Sequence, residues 1–114
     1  MNNTAKQTNG QDIAATILNQ LGGHKFLAMT GVKQPMFDAD GTLTFKPGKN
    51  AGKVNYVSIS YDVAKDLYNM KFENIRMNKK TYDLTRKLIA EFEGVYADQL
   101  QELFTKVTGM YTSL

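Results

Sequence analysis

The sequence predicts an α+β fold: a single domain in which an antiparallel sheet of four to five strands carries an N-terminal and a C-terminal amphipathic helix. Three observations carry this expectation. The chain has 114 residues, one domain's worth, enough to bury about two thirds of its unfolded surface around one core. Apolar residues recur at helical spacing near both ends, as Ile13, Ile17, Leu18 and Leu21 and again as Leu100, Leu103, Phe104 and Val107. Between them, short runs rich in Val, Ile, Phe and Tyr are punctuated by Pro, Gly, Asn and Asp, the alternation of strands with turns.

Taken in order, residues 1–10 read as a disordered tail, polar and without period, and residues 11–114 as the domain. Gln11 to Leu21 is an amphipathic helix, with Thr8 or Asn9 placed to cap it and Gly22-Gly23 to stop it. Lys25 to Gly31 (KFLAMTG) reads as a strand, leaving His24 at a helix-to-strand junction. Pro35 and Asp38-Ala39-Asp40-Gly41 form a turn region. A short strand, Thr42 to Lys46, and the strand Val54 to Tyr61 flank the loop Pro47 to Lys53 and pair as a hairpin. Leu67 to Met77 changes its apolar frame near Asn74, which suggests a bulge that turns both halves toward one core. After a turn at Asn78-Lys79-Lys80, residues 80–93 fit both periods, with a strand favoured. Ala97 to Thr108 is the clearest helix and ends at Gly109.

Composition removes several function classes. The chain has no Cys and one His, His24, so thiolate metal sites and cysteine nucleophiles are excluded, and imidazole zinc sites or a serine triad have little to be built from. No catalytic residue and no metal ligand is predicted, and no cofactor. No apolar run approaches the 18 or more residues of a membrane span, and the N-terminus has no signal-peptide pattern. The expectation is a cytoplasmic protein without membrane contact. Charge is unevenly placed: residues 25–87 hold twelve Lys/Arg against six Asp/Glu, a net of +6, whereas residues 88–114 carry a net of −3. Such a basic segment suits a polyanionic partner, and equally serves plain solubility.

Two loops resemble catalytic motifs and fail on context. Asp38-Ala39-Asp40-Gly41-Thr42-Leu43 has the D-x-D-G-T-L spacing of haloacid-dehalogenase-type phosphatases. It lacks the buried strand before it and the helical crossover after it, so a polar turn is the better reading. Gly48-Lys49-Asn50-Ala51-Gly52-Lys53-Val54 is one residue short of a phosphate-binding loop, has Val54 in place of Ser/Thr, and precedes a strand. Glu91 and Glu93 read as a solvated edge.

The blocks Leu21-Gly22-Gly23-His24-Lys25-Phe26-Leu27-Ala28-Met29-Thr30-Gly31 and Tyr96-Ala97-Asp98-Gln99-Leu100 through Gly109-Met110-Tyr111-Thr112-Ser113-Leu114 resemble a small protein family recurrent in bacteriophages, prophages and mobile elements. The likeness covers most of residues 17–114. It implies a phage-type setting; the family has no established activity, so no catalytic residue is carried over.

The functional expectation is a non-enzymatic accessory protein that binds nucleic acid through a basic sheet face. Lys46, Lys49, Lys53, Lys71, Arg76, Lys79 and Lys80 would meet phosphates, and Tyr56 or Tyr68 would stack on bases. The alternative is a protein-binding module, such as an inhibitor of a host protein or defence factor, using the sheet edge or Tyr111 and Leu114. A minor alternative is phosphoryl chemistry at Asp38 and Asp40.

Overall fold

The computed structural model describes residues 10–112. The polar tail, its capping residues Thr8 and Asn9, and Leu114 lie outside the described residues. Helix α1 spans Gly10–Leu21 and buries Ala14, Ile17 and Leu21, the i, i+3, i+7 face that the apolar spacing predicts. The chain then breaks at Gly22, whose φ of 127° is open to glycine and strained for other residues.

Lys25 to Gly31 is not the strand that its residues suggest. Most of it belongs to a second helix, α2, Gly23–Thr30, which Gly31 ends in the left-handed conformation. α2 buries Phe26 and Thr30, one turn apart on one face. Thr30 donates its hydroxyl to the Phe26 carbonyl at 2.7 Å, and the Thr30 carbonyl accepts from Gly48 N–H at 2.8 Å. His24 therefore sits in the first turn of a helix, exposed.

Five strands complete the sheet: β1 Met36–Phe37, β2 Leu43–Phe45, β3 Tyr56–Asp62, β4 Leu67–Met77 and β5 Leu84–Val95. Their order is β1-β2-β3-β4-β5, every neighbour antiparallel. A 3-10 turn at Ala97–Gln99 leads into helix α3, Leu100–Thr108. The fold is thus α+β, the described residues forming three helices and a five-stranded antiparallel sheet.

Strand alternation sends Leu43, Phe45, Val57, Ile59, Met70 and Phe72 to one face, where they form a single core with Ile17 and Leu21 of α1, Phe26 of α2 and Leu100 and Phe104 of α3. Its centre is aromatic: the Phe26 ring meets Phe45 and Phe104 edge-on at 5.3 and 5.1 Å between centroids, spacings at which the positive ring edge faces the negative π-face. The other sheet face carries Tyr56, Ser58, Ser60, Asn69 and Lys71, the residues that alternate with the core set.

The frame change in Leu67 to Met77 has a different cause from the expected bulge. β4 is regular through Glu73, but Phe72 pairs with Ala90 while Glu73 pairs with Leu88. The extra residue is Ile89, on β5. Ile75 and Met77 consequently point to the open face, not to the core.

Candidate nucleic-acid interface

β4 outruns β3. Tyr56, the first residue of β3, pairs with Glu73, so Asn74 to Met77 have only β5 beside them, in register with Lys87 to Leu84. Beyond that point the sheet narrows to a two-stranded ribbon, and every residue from Arg76 to Leu88 is exposed. Residues 74–88 form an arm that projects from the body.

The arm's turn is closed by backbone bonds and by the Asn78 side chain. Asn78 N–H donates to the Asp83 carbonyl at 2.9 Å and Tyr82 N–H to the Asn78 carbonyl at 2.6 Å. The Asn78 carboxamide oxygen accepts from Lys80 N–H at 2.8 Å, the local bonding that makes Asn a turn former. Lys79 and Lys80 are thereby held at the tip.

The arm's base is fastened to the loop before β3. The Asn55 side chain donates to the Ile75 carbonyl at 2.9 Å and accepts from Ile75 N–H at 2.8 Å, standing in for a strand partner. Asn74 donates to the Lys53 carbonyl at 2.7 Å. Asn50 closes the loop on itself through Gly48 and Val54. Gly52 fits because it has no side chain: a Cβ there would lie 2.1 Å from the Val107 carbonyl oxygen. The result places Lys53 beside Arg76 and Lys87, with Asn74 and Thr85, around a groove of about 620 Å³ on the helix side of the arm.

The arm's other side carries Ile75, Met77, Leu84, Arg86 and Leu88. Arg86 Nε donates to Glu73 Oε2 at 2.9 Å, joining a carboxylate whose side chain is 4% exposed to a guanidinium that is 61% exposed. Its guanidinium carbon lies 5.9 Å from the Tyr56 ring centroid, within cation–π range. Of the arm's five cations, Arg86 alone is paired with a carboxylate within 4 Å among the described residues; Arg76 donates to the neutral Asn74 side chain at 3.2 Å.

The predicted contact residues are only partly gathered. Lys53 and Arg76 meet at the groove, and Lys79 and Lys80 continue the charge to the tip. Lys87, which completes the groove, and Arg86 were not singled out from the sequence; the strand assignment of 80–93 would have placed both beside Arg76. Lys46 belongs elsewhere, lining a second groove of about 620 Å³ on the open face with Lys33, Thr44 and Tyr56. Lys71 is opposite Glu91 on β5, and Lys49 is exposed in its loop. Tyr68 is no stacking platform: it is 8% exposed and part of the core, because it shares the covered face of β4 with Met70 and Phe72. Tyr56 is half-buried under Arg86.

Asp38 and Asp40 build a turn. Asp38 N–H and carbonyl bond to Thr42 and Gly41, and Asp40 Oδ1 accepts from Thr42 N–H at 3.1 Å. Tyr111 is 71% exposed, beside Asp98 and Glu102. Among the described residues no group of three or more His, Cys, Asp or Glu is placed to hold a metal ion, and no helix is long and apolar enough to cross a membrane.

No family model, no curated protein and no solved structure matches this chain. These comparisons give no support to the expected likeness of the two end blocks to a phage family.

Proposed function

We propose that the protein binds nucleic acid without sequence preference, by laying the basic arm of residues 74–88 along the sugar-phosphate backbone. The observation that carries this reading is the cluster of Lys53, Arg76, Lys79, Lys80 and Lys87 on and beside an exposed two-stranded ribbon, with no carboxylate within 4 Å of these side chains among the described residues. A ribbon of this kind fits the major groove of a duplex, and unpaired cations gain most by displacing the counterions condensed on phosphate.

The test is fluorescence anisotropy with a random-sequence DNA duplex over a series of salt concentrations. Five phosphate contacts give a slope of log K against log salt of about −4.5, and Lys79→Ala with Lys80→Ala reduces its magnitude by about 2. The same change at Lys46 and Lys71, which lie off the arm, has a smaller effect. Binding that is absent at low salt, or indifferent to the arm substitutions, refutes the reading.

A further inference from the structure

β5 is the last strand of the sheet, and β4 is the only element it packs against extensively. Among the described residues no further strand pairs with its outer row of N–H and C=O groups, which runs along twelve residues, about 40 Å of strand, exposed or partly exposed up to the buried Val95. Long open edges are pairing sites unless something blocks them, and this one contains no proline.

The charges along β5 indicate what pairs with it. The first half carries Arg86 and Lys87, the second half Glu91 and Glu93, and the middle, Leu88 to Ala90, is uncharged. A second β5 laid antiparallel about a two-fold axis near Ile89 sets the basic half of each strand against the acidic half of the other. A parallel arrangement in register sets like against like. Cross-strand neighbours of opposite charge stabilise a sheet and like charges destabilise it, so the sequence polarity favours the two-fold arrangement.

The bulge supplies the matching faces. Without an extra residue at Ile89, Arg86 and Glu91 would point to opposite sides of the strand, five residues apart. With it, Arg86 pairs with Ile75 and Glu91 with Lys71, both on the open face. Arg86 of one copy can then stand directly opposite Glu91 of the other. The Arg86 side chain itself leans inward, with Nε on Glu73 and the guanidinium 5.9 Å from the Tyr56 ring centroid, so it meets the other copy's Glu91 as a cross-strand charge and not as a direct ion pair. In that register Leu88, 50% exposed, meets its symmetry mate close to the axis, so an apolar centre lies between charged flanks.

We propose that a second copy of this chain pairs along β5, antiparallel and two-fold symmetric, to make a continuous ten-stranded sheet. Of the five cations proposed to meet nucleic acid, Lys53, Arg76, Lys79 and Lys80 lie outside the paired strand and Lys87 lies on it, so the dimer does not require nucleic acid and is tested in its absence.

Sedimentation equilibrium of the full chain at low salt, without nucleic acid, tests this. The parent sediments as a dimer that weakens as salt is raised. Lys87→Glu, and separately Glu91→Lys with Glu93→Lys, each weaken self-association by about tenfold or more, since each reverses the charge of one half of β5 and that half meets the other copy twice across the axis. An equimolar mixture of the two variants regains the dimer, because an acidic β5 then meets a basic one. All three positions are exposed, and circular dichroism verifies that the variants fold. A parent that stays monomeric at its highest soluble concentration overturns the proposal. So do variants that dimerise as tightly as the parent, or a mixture that stays monomeric.

Discussion

Tyr82 occupies the left-handed position of the arm's turn, with φ of 62°, and its ring is 72% exposed. A non-glycine residue held there costs about 1–2 kcal/mol, and no described contact of the ring offsets it. Tyr82→Gly should therefore stabilise the turn by up to about 1 kcal/mol, seen as slower amide exchange at Asn78 and Tyr82, whose N–H groups close the turn; unchanged exchange would show that the turn adapts to its residue. Two other tyrosines govern the alkaline limit. Tyr61 donates its hydroxyl to Asp66, and this bond raises its pKa above the ordinary 10.0. Burial is the main cause that raises Tyr68 above the same value. Both rings are protonated in the folded and unfolded chain below pH 10, where their contribution to stability is complete. As pH rises past 10 the unfolded chain ionises first, so stability is lost until the folded-state values are passed. Urea midpoints should decline above pH 10, and Tyr61→Phe with Tyr68→Phe should flatten that decline.

The elements differ in how much of them can be read from local pattern. β4 runs from Leu67 to Met77 as its residues suggest, and α3 buries the Leu100 and Phe104 stripe and stops at Gly109. α2 escaped because KFLAMTG satisfies both periods over so short a span, and what distinguishes them is tertiary: Phe26 entering the aromatic core and the Thr30 carbonyl bonding Gly48. The frame change near Asn74 was visible, but not its meaning: β4 alternates regularly, so Ile75 and Met77 turn to the open face, and the irregularity sits on β5 at Ile89, which only the β4–β5 register shows. The same limit applies to the candidate site. Arg76, Lys79 and Lys80 were legible as basic residues around a turn, whereas their union with Lys53 depends on Asn55 and Asn74 bonding across about twenty residues. At the arm's base, Arg86→Ala should cost about 1–3 kcal/mol by leaving the Glu73 carboxylate buried without a cation. The exposure of Arg86 keeps this below the cost of breaking a fully buried pair. Replacing both residues by Met should recover most of the loss, and chemical denaturation of the two singles and the double measures the coupling.

At the scale of the whole molecule, the body and the arm draw stability from different sources. The body is held by a core in which Phe26, Phe45, Phe72 and Phe104 tie α2, β2, β4 and α3 together, and each of these rings is at most 2% exposed. Phe104 touches the other three rings, at 5.1, 6.0 and 6.3 Å between centroids. Truncating it removes a helix's main anchor and opens a cavity that rigid strands on one side cannot close, at a cost of about 3–5 kcal/mol. For a domain of this size the melting temperature should fall by about 10–25 °C. The arm contributes nothing to that core: from Arg76 to Leu88 it is exposed on both faces. Replacing residues 77–84 with an Asn-Gly turn, a sequence suited to closing a two-stranded hairpin, should leave the melting temperature of the body close to that of the parent while lowering the magnitude of the salt slope for duplex DNA by about 2, the share of Lys79 and Lys80. The two variants thus separate the roles. If the shortened arm melted with Phe104→Ala, the arm would have to be part of the cooperative core, and its use as an independent binding element would fail on thermodynamic grounds.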